Sequence, residues 1–285
     1  MNVDRLLSLW QYPIPQHLVS RLMGLVANSE HPGVRDPFIR WFAQRYGVNM
    51  LEAQNPDLAS YRTFNEFFTR PLKDGARPID AGAKSIVSPA DGAISELGVI
   101  GNDAIMQAKG WSYSARALLG GDAGLAAAFR DGLFMTVYLS PKDYHRVHLP
   151  LAGTLRETIY VPGRLFSVNN RTANGVPGLF ARNERVVCVF DTVAGPMAVV
   201  LVGAIIVAGI ATVWQGTITP PHRRLEATSF AATGKQPPFA KGAEIGRFLV
   251  GSTAIVLLPK DVARWRDDLR AGSPLRMGEQ IGDLL

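Results

Sequence analysis

From Lys73 onward the chain is written in short apolar runs broken by Gly, Pro, Asn and Asp. The runs are SIVSPADG, AISELGVIG, LFMTVYLSP, GTLRETIYVPG, RVVCVFD, MAVVLVG and FLVGSTAIVLLP. Stretches this short, rich in β-branched residues and bounded by turn formers, read as strands joined by turns. One helix is expected among them at DAGLAAAF (122–129), with Asp122 as its N-cap. The C-terminal DVARWRDDLR reads as a surface helix. The least polar stretch, Met197 to Val213, carries no charge. It sits at the short edge of what a bilayer-spanning helix needs. Its Val and Ile content, with Gly203 and Gly209 interrupting, favours two buried strands.

The first 72 residues read differently. Gln16–Ser29 places Leu18, Val19, Leu22, Leu25 and Val26 on one helical face. Asp36-Pro37 reads as a helix start, with Asp as N-cap and Pro at the first position. Thr63 followed by Glu66 is a capping box opening a short helix through Phe67 and Phe68. The expected fold class is therefore α+β. A helical region (1–72) precedes a mostly antiparallel β domain (73–285). Two readings of the helices stay open: apolar faces packed on the main domain, or a basic and aromatic platform for a membrane surface.

Hydrophobic residues make up 47% of the 285 and charged residues 19%, which excludes a disordered chain. The net charge of +6 favours an anionic partner. Cys188 is the only cysteine, so no internal disulfide can form and a reducing compartment fits. The N-terminus, with Asp4 early and a very short apolar run, lacks the layout of a signal peptide.

Three places could carry chemistry. DYHRVHLP holds His145 and His148. On a strand this spacing points the rings to opposite faces. Core histidines, a metal site needing further ligands, and acid–base work all remain open there. SPADG puts Asp91 in a turn, either as an ordinary turn residue or as a carboxylate that orients a histidine. GRFLVGST places Gly251 before Ser252. Glycine leaves its carbonyl sterically open to attack by a neighbouring hydroxyl. No GxSxG elbow, GxGxxG turn or phosphate loop is present in the sequence.

Taken in order, SPADGAIS, AKGWSYS, YLSPKDYHRVHLP, GRLFSVN, LFARNERVV, TVWQGTITPP and GRFLVGST resemble the bacterial phosphatidylserine decarboxylase proenzymes, a pyruvoyl-dependent family. FFTRPLKDGARPI resembles the segment ahead of that family's catalytic part. The resemblance runs from Phe64 to Leu258. The family's usual LGST appears as Val250-Gly251-Ser252-Thr253, which keeps the reacting pair. It implies autocatalytic cleavage between Gly251 and Ser252. Ser252 would become a covalent pyruvoyl group that decarboxylates phosphatidylserine to phosphatidylethanolamine, with no pyridoxal phosphate and no metal. It also implies Asp91 and His148 as the relay that activates Ser252, and His145 in substrate handling. The implied partners are an anionic phospholipid at the cytoplasmic face of the cell membrane, held peripherally, and the chain's own large and small fragments. A homodimer is left open, and no nucleic acid is expected.

Overall fold

The computed structural model describes residues 3–108, 110–205, 209–218, 224–234, 236–249 and 252–285. Nine strands form one antiparallel sheet. Its order is 226–229, 153–161, 185–192, 195–202, 252–258, 133–139, 92–99 and 274–275, with 238–239 also paired to 153–161. The Ser252–Leu258 strand lies near the middle. It pairs with Leu133–Leu139 on one side and Gly195–Val202 on the other. All seven of its residues are buried.

The continuous apolar runs have a simple cause: this part of the sheet is covered on both faces. Ile255 and Leu257 join one core cluster with Val187, Val189 and Val200. Ala254, Val256 and Leu258 join the other with Val186, Cys188 and Val199. Val256, Leu257 and Leu258 are fully buried, and each such side chain contributes about 1.5–3 kcal/mol. Met197–Val213 does hold two buried strands, Gly195–Val202 and Ile210–Thr212, with 206–208 outside the described residues. Among the described residues no helix is long and apolar enough to cross a membrane.

Smaller sheets flank this one. Strand 244–248 pairs with 146–148 and 210–212, and strand 280–284 pairs with 85–87 and 263–265. The last pairing corrects the helix expected at DVARWRDDLR. Ala263–Trp265 is a strand, and the Trp265 indole N–H donates to the Phe134 carbonyl at 3.0 Å. Asp261 just before it has φ +57°, which an α-helix does not admit. The helix at DAGLAAAF is present as Ala123–Ala127, capped by the Asp122 carboxylate.

The N-terminal region supplies α1 (Val3–Ser8), α2 (Gln16–Ala27), α3 (Pro32–Tyr46) and α4 (Phe64–Phe68). Thr63 caps α4 through the Glu66 N–H, and the Glu66 carboxylate reaches back to the Arg62 N–H. The start of α3 is a correction. It begins at Pro32, capped by His31, so Asp36 and Pro37 fall inside the helix. The Asp36 carboxylate is taken by Arg35 at 2.5 Å and does not cap.

Helix α2 is inverted relative to ordinary packing. Gln16 and Ser20 are buried, whereas Leu18 and Leu22 are each 55% exposed and Leu25 is 72% exposed. The buried Gln16 side chain accepts from the Leu165 N–H and donates to the Gln11 carbonyl, which satisfies its polar atoms. Phe42, Phe64, Phe67 and Phe68 form a separate aromatic cluster with Ile39 and Tyr61.

Gly92 is the tightest backbone approach beside the Asp91 turn. Its φ is +152°, and a Cβ there would lie 2.1 Å from the Tyr138 carbonyl oxygen. Gly92→Ala combines backbone strain with overpacking and is expected to cost about 3 kcal/mol or more in urea unfolding. A midpoint equal to wild type would contradict this packing.

Candidate active site

Ser252 opens the central strand, with its Cα opposite Leu139. It is 1% exposed, and its Oγ has no hydrogen-bond partner among the described residues. A buried hydroxyl without a partner is costly and therefore uncommon. This one lines an apolar cavity of about 340 Å³, shared with Phe42, Phe64, Phe68, Tyr138 and Leu139. Gly251, the other half of the proposed cleavage site, lies outside the described residues.

His145 is fully buried, and its ring packs on Phe68 with centroids 4.0 Å apart. Phe68 thus touches His145 and also walls the cavity that Ser252 faces. The Nδ1 of His145 lies 2.8 Å from the Asp143 carbonyl oxygen. A carbonyl only accepts, so Nδ1 carries the proton and Nε2 keeps its lone pair. That Nε2 has no partner either. Burial, followed by the nearby Arg70 charge, lowers the pKa to about 3 against the Asp143 hydrogen bond, so the ring is neutral.

His148 has the same tautomer. Its Nδ1 donates to the Gly242 carbonyl at 2.9 Å, and its Nε2 accepts from the Tyr144 hydroxyl at 3.2 Å. Burial holds the His148 pKa below the ordinary histidine value. The Tyr144 hydroxyl is itself pushed up to about 12 by burial, so it keeps the proton it donates.

Asp91 and His148 come from neighbouring segments, because the His148 N–H donates to the Pro89 carbonyl at 2.8 Å. Their side chains are not hydrogen-bonded to each other among the described residues. Both Asp91 oxygens accept from Arg77, at 2.5 to 3.0 Å, and one also accepts from the Met277 N–H at 2.9 Å. Glu244 and, more weakly, Asp91 favour the His148 imidazolium through their charge, against the larger effect of burial. The structure therefore gathers Ser252 and His145 around Phe68, and Asp91 and His148 around the Pro89–Asp91 turn. Tyr138, opposite Thr253 in the sheet, lines the Ser252 cavity and also a polar cavity that Asp91 and Tyr144 line.

Arg77 and Tyr144 escaped the sequence reading. Arg77 also binds Glu52 at 2.7 Å, and Glu52 in turn binds Arg276 at 3.0 Å. The only signal for Arg77 was its place in FFTRPLKDGARPI, and Tyr144 sits inside the same DYHRVH string as the histidines. No group of three His, Cys, Asp or Glu residues is placed to hold a metal ion among the described residues.

An antiparallel β core that buries an unpartnered serine at the head of its central strand, beside neutral histidines, is the framework of an enzyme. Comparison with known proteins gives its class. A family profile described as phosphatidylserine decarboxylase matches residues 64–283, and a second, described as PSD, matches residues 6–47. The phosphatidylserine decarboxylase proenzyme of Ectopseudomonas mendocina (strain ymp) is 59% identical over 281 residues, covering 98% of each chain. That of Pseudomonas fluorescens (strain Pf-5) is 57% identical over 279 residues, covering 98% of this chain and 97% of its own. The chain belongs to the phosphatidylserine decarboxylase family.

The His145 environment makes an acid-sensitive site. Between pH 6.5 and about 3 the unfolded chain binds a proton at this ring and the folded chain does not. Stability is thus full above pH 6.5 and falls by up to about 1.4 kcal/mol per pH unit below it. Urea unfolding at pH 7 and pH 5 should show a drop roughly 2 kcal/mol smaller for His145→Gln than for wild type. Equal drops would contradict the assignment of a buried neutral ring.

Proposed function

We propose that Ser252 breaks its own peptide bond with Gly251. The products are a 1–251 large chain and a small chain of 34 residues (285 − 251) beginning with a pyruvoyl group. The mature enzyme then converts phosphatidylserine to phosphatidylethanolamine. The observation that carries this reading is the unpartnered Ser252 Oγ, buried at the head of a fixed strand and facing a cavity. A hydroxyl held this way is free to attack, and the strand behind it cannot recoil.

In the first stage His148 takes the Ser252 proton at Nε2, its unprotonated nitrogen, which gives up the hydrogen bond it accepts from the Tyr144 hydroxyl. Asp91 supplies a fixed negative charge that favours the imidazolium so formed. The Ser252 oxygen adds to the Gly251 carbonyl and the C–N bond breaks, leaving an ester. Elimination across Cα–Cβ of residue 252 then expels the Gly251 carboxylate. Hydrolysis of the resulting enamine releases ammonia and leaves the ketone.

The Ser252 position fits a pyruvoyl group, because its unpartnered side chain opens on a cavity with room for a headgroup. That group supplies an electron sink for the pair released as CO2 leaves. The protein's own residues do the rest. Phe42, Phe64 and Phe68 exclude water from the reacting carbon. His145, with a free lone pair at Nε2, takes a proton from solvent there and passes it to the carbon that has lost the carboxylate.

The substrate is a lipid, and the inverted α2 suits it. Leu18, Leu22 and Leu25 face outward while Arg21, Arg40 and Arg45 are also exposed. Apolar and basic groups together favour an anionic bilayer surface. The reading is peripheral attachment at the cytoplasmic face of the cell membrane, with lipid entering beside Met23, Phe38 and Trp41 at the apolar cavity.

Two experiments test these claims. Freshly synthesised Asp91→Asn and His148→Gln chains should cleave at least roughly a hundredfold more slowly than wild type on a denaturing gel, the usual scale of general-base loss. Wild-type cleavage rates in both would remove the relay. In flotation with anionic liposomes at low salt, Leu22→Asp with Leu25→Asp should weaken binding by roughly tenfold or more while leaving thermal stability unchanged. Undiminished flotation would remove the membrane role of α2.

A further inference from the structure

Arg70 follows α4 directly and is 3% exposed. Among the described residues its Nε has no hydrogen-bond partner, and its Nη2 donates only to the Lys142 carbonyl oxygen, at 3.3 Å. The guanidinium sits 5.7 Å from the Phe67 ring centroid. Arg70 enters no ion pair among the described residues. The carboxylates whose fields reach it, Asp91 and Glu52, are already bound by Arg77 and Arg276. Burial pushes its pKa down from the ordinary arginine value, yet a guanidinium stays charged at neutral pH. A buried cation without a counter-ion is an expensive arrangement and calls for an anion.

Space for one is present. Arg70 lines the polar cavity, of about 590 Å³, together with Lys142, Asn49 and Tyr144. Ligand sites commonly have this size. Lys142 is exposed and also enters no ion pair among the described residues. The remaining carboxylate of the lining, Asp143, is occupied by the Ser140 N–H and hydroxyl, both at 2.7 Å. Tyr138 alone lines both this cavity and the one that Ser252 faces.

We propose that Arg70 anchors an oxyanion subsite in the polar cavity that takes the phosphodiester of the lipid headgroup. The inference rests on the function proposed above and assigns a part of the substrate to a place. Of the two anionic groups on phosphatidylserine, the phosphodiester is the better match. A guanidinium on the departing carboxylate would stabilise the ground state and oppose loss of CO2. The planar fork of arginine suits two phosphate oxygens. Anchoring the phosphate across Tyr138 from residue 252 leaves the amine free to reach it. The same Arg70 charge helps keep His145 neutral.

The test uses the mature, self-cleaved enzyme with short-chain dihexanoyl phosphatidylserine. Arg70→Gln should raise KM by roughly tenfold to a hundredfold, the scale of a lost charged hydrogen bond, with kcat changed far less. Arg70→Lys should recover part of the loss. Glycerophosphocholine, a phosphodiester with no primary amine, should inhibit wild type competitively and Arg70→Gln much more weakly. An Arg70→Gln enzyme with unchanged KM, or with undiminished inhibition, would overturn the proposal. Inhibition by inorganic phosphate but not by glycerophosphocholine would overturn the lipid source in favour of a free-phosphate site. If Arg70→Gln does not mature, the wild-type melting midpoint decides. It should rise with glycerophosphocholine and not with choline chloride at equal concentration, and no difference would overturn the subsite. A wild type that matures without decarboxylating phosphatidylserine would defeat the proposed function, and the melting arm would still read the subsite independently.

Discussion

The Ser252–Leu258 strand is the constraint on which the rest depends. From Thr253 to Leu257 it is paired on both edges and covered on both faces, and its first residue, Ser252, is paired to Leu139 on one edge. A serine that must attack the bond just before it gains from that anchoring. Under the proposed cleavage, the same burial would keep the cut chain whole. Val256, Leu257 and Leu258 are fully buried in clusters shared with residues of the large chain, and breaking one peptide bond at the strand's end removes none of those contacts. The proposed cleavage and the stability of its product would thus both draw on one placement.

Charge organises the other half of the site. Arg77 binds Asp91 and Glu52, and Glu52 also binds Arg276. Residues 276 and 277 belong to the segment after the cleavage site, Glu52 to the N-terminal region, and Asp91 to the turn beside His148. One network, buried at Arg77 and Asp91 and open to solvent at Arg276, therefore ties three parts of the chain together at the polar cavity. Partly buried pairs of this kind contribute little net stability but are expensive to break on one side only. Arg77 fixes where the Asp91 charge sits, one of the charges, with Glu244 and Arg146, that act on His148 besides its dominant burial. Arg70, lacking such a partner, stands out against this background.

Much of the fold was legible because apolar burial leaves a plain pattern. The long strands of the main sheet between Gly92 and Leu258 were readable as runs, the short ones at 104–108, 146–148 and 226–229 were not, and the Thr63 and Asp122 caps were readable as local chemistry. Asp36-Pro37 misled because the Arg35 ion pair and the earlier Pro32 outweighed a good capping signal. DVARWRDDLR misled because pairing with Gln280–Leu284 overrode local propensity. The outward face of α2 could not be read, since periodicity shows that a face is apolar and not which way it turns. Ser252, His145, His148 and Asp91 became candidates through the family resemblance of the strings that hold them, since each string alone also reads as an ordinary turn or strand end. That Asp91 meets Arg77, and His148 meets Tyr144 and Gly242, depends on contacts distant in sequence that no motif displays.

The central claim is that residue 252 is converted to a ketone at the head of this strand. The most direct measurement is the intact mass of the C-terminal fragment released on denaturing the purified wild-type protein. The account predicts a fragment spanning 252–285 that is lighter by one ammonia than the peptide produced by simple hydrolysis at the same bond. A fragment with the hydrolysis mass, or an uncut chain that decarboxylates phosphatidylserine at full rate, would contradict it.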